Sequence, residues 1–173
     1  KQLINYAFKH NIYDLNFIDI SKITDTSEFY CCNNFDCDLS NWDVSNVKDM
    51  TGMFYCCYDF DCDLSNWNVS NMTNMHALFC ECNKFTGKGL EHWDVSNVTD
   101  MGGMFVGCEN FNCDLSYWDV SNVTDMDNMF VNCKKFNCDL SDWDISNITR
   151  WKNMFGGCDK MTIPNWYKLY HRK

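Results

Sequence analysis

Apolar and polar positions alternate along the chain in a block that recurs about every 25 residues. In the copy around Trp42, the apolar Trp42 and Val44 alternate with polar Asn41, Asp43 and Ser45. A period of two is typical of a strand with one buried face. Each copy is therefore predicted to contain one short strand.

A second apolar pattern follows the predicted strand in each copy. Met50, Met53, Phe54 and Cys57 fall at positions i, i+3, i+4 and i+7, which is one stripe of a helix of about two turns. Asp49 lies just ahead of this stripe, where an N-cap or a first-turn carboxylate favours a helix. The pattern predicts a strand, a turn, a short helix and a return segment in every copy.

Tryptophan marks the repeat most clearly. Spacings of 25 or 26 residues separate Trp42, Trp67, Trp93, Trp118 and Trp143. Self-similarity at a fixed period indicates repeated units that bury the same face against their neighbours. The strands of successive copies are expected to pair into a parallel sheet.

The repeated motif W-D-V-S-N-V-T-D-M-x-x-M-F-x-x-C-x-x-F-x-x-D-L-S resembles the BspA-like leucine-rich repeat, in the subgroup known from mycoplasma-type surface lipoproteins. The resemblance covers about residues 19–161. It implies an α/β repeat fold: a leucine-rich-repeat-like right-handed solenoid of about six 25-residue turns, each with a short parallel β-strand and a short helix. It also implies a surface or secreted protein of a family associated with adhesion, largely without a defined biochemical activity.

The chain is interpreted as a single repeat domain over 1–173, with an N-terminal cap at 1–18, repeats at 19–161 and a C-terminal cap at 162–173. Terminal units of a repeat array need a solvated outer face, so their composition is atypical. The stretch Thr86-Gly87-Lys88-Gly89, with one inserted residue before Leu90, predicts a local bulge or loop in the third copy.

The net charge is −10, and the acidic residues are concentrated in the repeats. The segment from Cys31 to Asn147 holds 19 acidic and 5 basic residues, which repels nucleic-acid phosphates. No apolar run approaches the roughly 18–20 residues of a membrane helix. Nucleic acid is therefore not an expected partner, and no transmembrane segment is predicted.

Thirteen cysteines raise the alternatives of disulfides or metal. One column, formed by Cys32, Cys57, Cys82, Cys108, Cys133 and Cys158, lies behind the apolar stripe, which favours a ladder of buried structural thiols. Pairing at a separation of five residues, as for Cys57 with Cys62, is the disulfide alternative. The unpaired thiols suit a reducing compartment and the resemblance suits a cell surface, so the compartment stays open.

No catalytic, cofactor or metal site is predicted. The four histidines lie at different repeat phases, and no nucleophile elbow or phosphate loop occurs. The cluster of His76, Cys80 and Cys82 matches no zinc spacing, and the repeated Asp residues are explained as turn formers rather than calcium ligands. The Asn-x-Ser/Thr triplets are interpreted as turn ladders in preference to glycosylation sites.

The outward rows of the predicted sheet are the expected binding surface. The first hypothesis is a non-enzymatic scaffold for protein binding or adhesion through this acidic and polar face, acting on an unidentified protein or surface ligand. The alternative is a structural spacer or assembly subunit, signalled by Trp166, Tyr167 and Tyr170 exposed as one patch; the chain itself is expected to be monomeric or weakly self-associating. The candidate partner-binding residues are Asn41, Asp43, Asn66, Asn68, His92, Asp94, Tyr117, Asp119, Asp142 and Asp144.

Overall fold

The computed structural model describes residues 6, 10, 12, 14–23 and 37–170. Two helices lie complete within these residues, a 3-10 helix at Leu90–His92 and α1 at Asn165–Tyr170. No β-strand occurs in this part of the chain, where pairing between copies is limited to isolated parallel bridges. The expected leucine-rich-repeat-like solenoid, with a strand and a helix in each copy, is therefore wrong. The bridges join Asp14 to Asp38, Asp49 to Asn74, Asn74 to Asp100, Asp100 to Asp125, and Asp125 to Arg150.

The stretch expected to be helical is instead a run of overlapping turns. Its N–H groups alternate between two kinds of acceptor. The N–H groups of Met53, Tyr55 and Cys57 donate to carbonyls three residues earlier in the same copy. The N–H groups of the residues in between donate to carbonyls of the next copy. A helix would direct all of these N–H groups along its own axis. We call these turn runs the ladder segments; they are residues 50–57, 75–82, 101–108, 126–133 and 151–158.

Four backbone hydrogen bonds join each ladder segment to the next copy, three to carbonyls of the next segment and one to the residue just before it. Between the first two segments, Met50, Gly52, Phe54 and Cys56 donate to Asn74, His76, Leu78 and Cys80 over 2.8–3.0 Å. The same four positions donate at every later junction. Successive copies therefore lie side by side in register, although no copy contains a regular strand.

Left-handed backbone conformations explain why neither a helix nor a strand forms in the ladder segments. The third position is left-handed in the first four segments as Gly52, Ala77, Gly103 and Asn128, with φ between 52° and 62°. The seventh position is also left-handed, at Cys56 (φ 59°) and Glu81 (φ 64°) for example. Residues at positive φ interrupt both regular structures. The apolar spacing of a helix is thus produced here by a different backbone path.

The predicted strand around Trp42 is replaced by two turns. The Trp42 N–H donates to the Leu39 carbonyl (3.0 Å), and the Val47 N–H donates to the Val44 carbonyl (2.9 Å). These bonds within one copy use donors that a sheet would direct to neighbouring strands. Trp42 and Val44 still point inward, because both side chains are buried.

Columns of identical side chains form the core. Phe54 stacks on Phe79 with 5.6 Å between ring centroids, and Phe79 stacks on Phe105 at 5.8 Å. Trp67 and Trp93 are nearly parallel at 6.2 Å. Each copy thus buries its apolar face against equivalent residues of its neighbours, as repeat arrays require.

The two ends and the third copy depart from the pattern. At the C-terminal end, α1 places Trp166 and Tyr167 against Phe155, with ring centroids 6.2 and 5.0 Å away. In the third copy the inserted residue is accommodated by Gly89, at φ 92°, and the 3-10 helix at Leu90–His92. Most of the predicted N-terminal cap lies outside the described residues.

Candidate functional site

All ten residues predicted to bind a partner are exposed. Neighbouring copies bring them into two adjacent rows, since equivalent positions lie next to one another along the stack. The rows do not lie on a sheet, which corrects the expected sheet face. The most exposed large apolar side chain among them is Tyr117, at 88%. We call these ten residues the acidic face: Asn41, Asp43, Asn66, Asn68, His92, Asp94, Tyr117, Asp119, Asp142 and Asp144.

The carboxylates of the acidic face are held by a local turn. Asp43 Oδ1 accepts the Ser45 N–H (3.0 Å) and the Ser45 hydroxyl (2.6 Å). Asp94 makes the same two bonds with Ser96 (3.1 and 2.7 Å). Asp and Ser two residues apart favour such turns because the short side chain satisfies the local backbone. The turn fixes the carboxylate in one orientation.

Asn68 replaces the carboxylate in this column without changing the turn. Its Oδ1 accepts both the N–H (3.1 Å) and the hydroxyl (2.7 Å) of Ser70. An amide oxygen can therefore make the bonds that hold the turn. The negative charge carried by the aspartates of this column is not needed to form the turn.

The turn bonds also lower the pKa of carboxylates in this column. The hydrogen bonds from Ser121 lower the pKa of Asp119, although the neighbouring Asp144 carboxylate acts in the opposite direction. The pKa of Asp144 is lowered by its bonds with Ser146. Hydrogen bonds to the charged form outweigh repulsion within the column. Asp119 and Asp144 are therefore charged at neutral pH.

A second acidic column flanks the same turn. Asp38 and Asp63 lie just before the buried leucine of each copy, and Asp43 lies just after the tryptophan. The Trp42 N–H to Leu39 carbonyl bond closes a four-residue turn whose ends lie within about 7 Å. The Lys88 ammonium, 2.7 Å from Asp63, and the Ser65 hydroxyl and N–H hold the pKa of Asp63 at about 2.

Two internal ladders fix the acidic face to the core. The indole N–H of Trp118 donates to the Leu90 carbonyl of the preceding copy (2.9 Å), and Trp143 donates to Leu115 (3.0 Å). Beside the face, the Asn122 side-chain amide donates to the Ser96 carbonyl (2.8 Å). The amide nitrogens of Asn71, Asn97 and Asn147 make the same contact. The interpretation of the four Asn-x-Thr triplets as a turn ladder agrees with these bonds.

The described cysteines are all free thiols. In one column the thiols of Cys82, Cys108 and Cys133 each donate to a phenylalanine carbonyl of the preceding copy over 3.0 Å. Burial raises the pKa of these three thiols well above the ordinary value. This first thiol column, Cys57, Cys82, Cys108, Cys133 and Cys158, is part of the core. A second thiol column consists of Cys37, Cys62, Cys113 and Cys138.

The weak zinc candidate is not assembled. His76 Nδ1 lies 3.4 Å from Asp100 Oδ1, while the Cys82 thiol is buried and bonded to Phe54. Within the described residues no group of three or more His, Cys, Asp or Glu side chains could hold a metal ion.

Sequence reasoning missed an outer groove over the ladder segments. Its lining includes Tyr55, His76, Cys80, Val106 and Arg150, and it has a volume of about 470 Å³. Arg150 is held by Asp125 (2.7 Å) and Asp127 (2.8 Å). The sequence carried a signal for this groove at the sixth ladder position. The residue there changes from Tyr55 to Cys80 to Val106, while the neighbouring core columns stay constant.

A protein-family model matches the repeats and both flanks of the chain. The family is described as "Mycoplasma protein of unknown function, DUF285", and its model matches residues 2–88 and 75–168. The chain belongs to this family. Searches of curated proteins and of solved structures found no match. Membership of the DUF285 family supports neither the BspA-like assignment nor a biochemical activity.

Among the described residues, no helix has the length and apolar character needed to cross a bilayer.

Proposed function

We propose that the protein is a non-enzymatic binding module that engages a basic partner protein through the acidic face. The carboxylates of Asp94, Asp119 and Asp144 carry this proposal, because each is exposed and fixed in orientation. The turn bonds of these three residues use Oδ1. No described residue donates to their Oδ2 atoms, so these oxygens are available to a ligand.

Electrostatic repulsion within the column favours a cationic partner. Backbones joined by ladder hydrogen bonds lie about 4.8 Å apart, and the charge of Asp144 opposes ionisation of Asp119. A Lys- or Arg-rich surface would offset this repulsion, and long-range attraction would also raise its association rate. Variation in the first row, from Asn66 to His92 to Tyr117, supports selection among basic partners.

The location at a cell surface and the role in adhesion are part of the same proposal. They are supported by the resemblance of the repeated motif to BspA-like surface proteins. The alternative of an assembly subunit depended on an exposed aromatic patch at the C-terminal end. Trp166 and Tyr167 are instead partly buried against Phe155, so we favour the binding module.

Neutralising the second row tests the proposal. In the triple variant Asp94→Asn, Asp119→Asn, Asp144→Asn the turns are kept, as Asn68 shows, and three charges are removed. We expect affinity for a fluorescent peptide of alternating Lys and Ser to fall about tenfold at low salt, since exposed pairs contribute roughly 0.5 kcal/mol each. Fluorescence anisotropy measures the affinity.

A matched control separates this face from net charge. The variant Asp59→Asn, Glu109→Gln, Asp159→Asn loses the same charge outside the acidic face and should bind the peptide like the wild type. If both triple variants weaken binding equally, the contact is general charge attraction and the acidic face is not the binding surface.

A further inference from the structure

Two described cysteines lie outside both thiol columns. Cys56 occupies the seventh position of its ladder segment and Cys80 the sixth position of the next segment. Cys56 is half-buried, and Cys80 is 8% exposed and lines the outer groove with Tyr55 and His76. Both therefore belong to the outer side of the ladder segments rather than to the stacked thiol columns.

The backbone brings these two cysteines together. The Cys56 N–H donates to the Cys80 carbonyl over 2.8 Å. Backbones joined by such bonds lie about 4.8 Å apart, within the Cα separation of about 4.4–6.8 Å found in disulfides. Tyr55, which precedes Cys56 in the chain, lines the outer groove together with Cys80, and both cysteines raise the pKa of its phenol.

Access to solvent distinguishes Cys56 from the buried thiols of the first thiol column. Disulfide exchange requires a thiol that an external disulfide can reach. The thiols of Cys82 and Cys108 are fully buried and donate to carbonyls in the core. Cys56 is partly open to solvent and has a left-handed backbone conformation. None of the cysteines in the two thiol columns occupies the seventh ladder position.

We propose that Cys56 and Cys80 are a redox pair that closes to a disulfide between the second and third copies. The oxidant is a small disulfide such as oxidised glutathione. The Cys56 thiolate attacks one of its sulfurs, forming a mixed disulfide and releasing one reduced thiol. Cys80 then attacks the Cys56 sulfur, releasing the second thiol; Cys56 and Cys80 lose two electrons and two protons, and the glutathione disulfide is reduced.

The second step is expected to be the slower one. Burial, with the nearby Glu81 carboxylate, raises the pKa of the Cys80 thiol to about 12. The thiolate is the attacking form, so its fraction rises about tenfold per pH unit below that value. Closure should therefore accelerate steeply between pH 7 and pH 9.

The experiment is oxidation of the full chain with oxidised glutathione under native conditions. Remaining thiols are alkylated, and peptide mass spectrometry maps the crosslink. The expected product is a Cys56–Cys80 disulfide that dithiothreitol reverses. Because the crosslink constrains the unfolded chain, the oxidised protein should also melt about 5–10 °C higher.

Three variants make the result decisive. Cys56→Ser and Cys80→Ser should each stop at the mixed disulfide or stay reduced, with no gain in melting temperature. Cys158→Ser, which removes another partly exposed thiol, should oxidise like the wild type. The proposal is overturned if the wild type keeps both thiols free, or if Cys56 crosslinks to Cys31, Cys32 or a column cysteine instead.

Discussion

At the scale of single residues, the stability of the stack depends on side chains that make two kinds of contact at once. Trp118 is buried against the aromatic core and also bonds the Leu90 carbonyl of the preceding copy. Each tryptophan therefore contributes apolar burial and a directional link between copies. Its neighbour Tyr117 has the opposite environment, since it is almost fully exposed.

Replacement of Trp118 tests the dual role. We expect Trp118→Phe to lower the free energy of unfolding by about 2–4 kcal/mol, because it leaves a cavity and removes the bond to Leu90. The adjacent Tyr117→Phe should change it by less than about 0.5 kcal/mol. Urea unfolding followed by tryptophan fluorescence and circular dichroism measures both; equal effects would contradict the assigned role.

Burial at this scale could be predicted from the sequence. The apolar positions of the copy around Trp42, from Trp42 to Cys57, are predicted to face inward, and the structure buries them. The outward assignment of Asp43 and Asn41 also agrees with their exposure. The repeat predicts which side chains face inward and which face outward, because equivalent residues of every copy must pack against equivalent residues of the neighbouring copies.

At the scale of elements, the same apolar pattern predicted the wrong secondary structure. Met50, Met53, Phe54 and Cys57 have helical spacing, but apolar periodicity reports which side chains are buried and not which backbone path buries them. The missed signal was the third ladder position, where Gly52, Gly103 and Asn128 recur. Gly and Asn are the residues that most readily adopt positive φ. Their recurrence inside an apparent helix argued for turns.

Gly103 provides a direct test of the left-handed position. A Cβ atom there would meet only Val106 Cγ2 at 3.6 Å, so crowding is small and the backbone conformation (φ 62°) dominates. We expect Gly103→Ala to destabilise the protein by about 1–2 kcal/mol. Thermal and urea unfolding measure the change.

The control at this position is Gly103→Asn. Asn128 and Asn153 hold the equivalent position at φ 58° and 55°, so the asparagine variant should lose less stability than the alanine variant. If alanine is tolerated as well as asparagine, the left-handed conformation is not what this position requires.

At the scale of the whole molecule, acid should destabilise the stack. The Asp63 pKa is lowered from 3.8 to about 2, first by Lys88 and then by Ser65, and hydrogen bonds lower the pKa values of Asp38, Asp114 and Asp139 in the same column. A lowered pKa contributes stability that is complete above the unfolded value and is lost as the pH falls through the folded value.

Urea unfolding midpoints between pH 7 and pH 2 check this prediction. We expect the contribution of Asp63 to the free energy of unfolding to stay nearly constant above pH 5. It should then be lost steadily from pH 4 to about pH 2. Asp63→Asn should flatten part of this slope, since an amide keeps the turn bonds but does not titrate. An unchanged slope in the variant would show that Asp63 is not responsible.

The ladder segments also have a consequence for how molecules can meet. All the backbone bonds of a segment to other copies run in one direction. Met75, Ala77, Phe79 and Glu81 donate N–H groups to the following copy, and the carbonyls of His76, Leu78, Cys80 and the preceding Asn74 accept from the copy before. An ordinary strand edge mixes both kinds of group. Two like ends of this stack brought together by a twofold axis would oppose donor to donor or acceptor to acceptor. Backbone pairing between the ladder segments of two molecules would therefore have to be head-to-tail, so symmetric edge association through these segments is disfavoured.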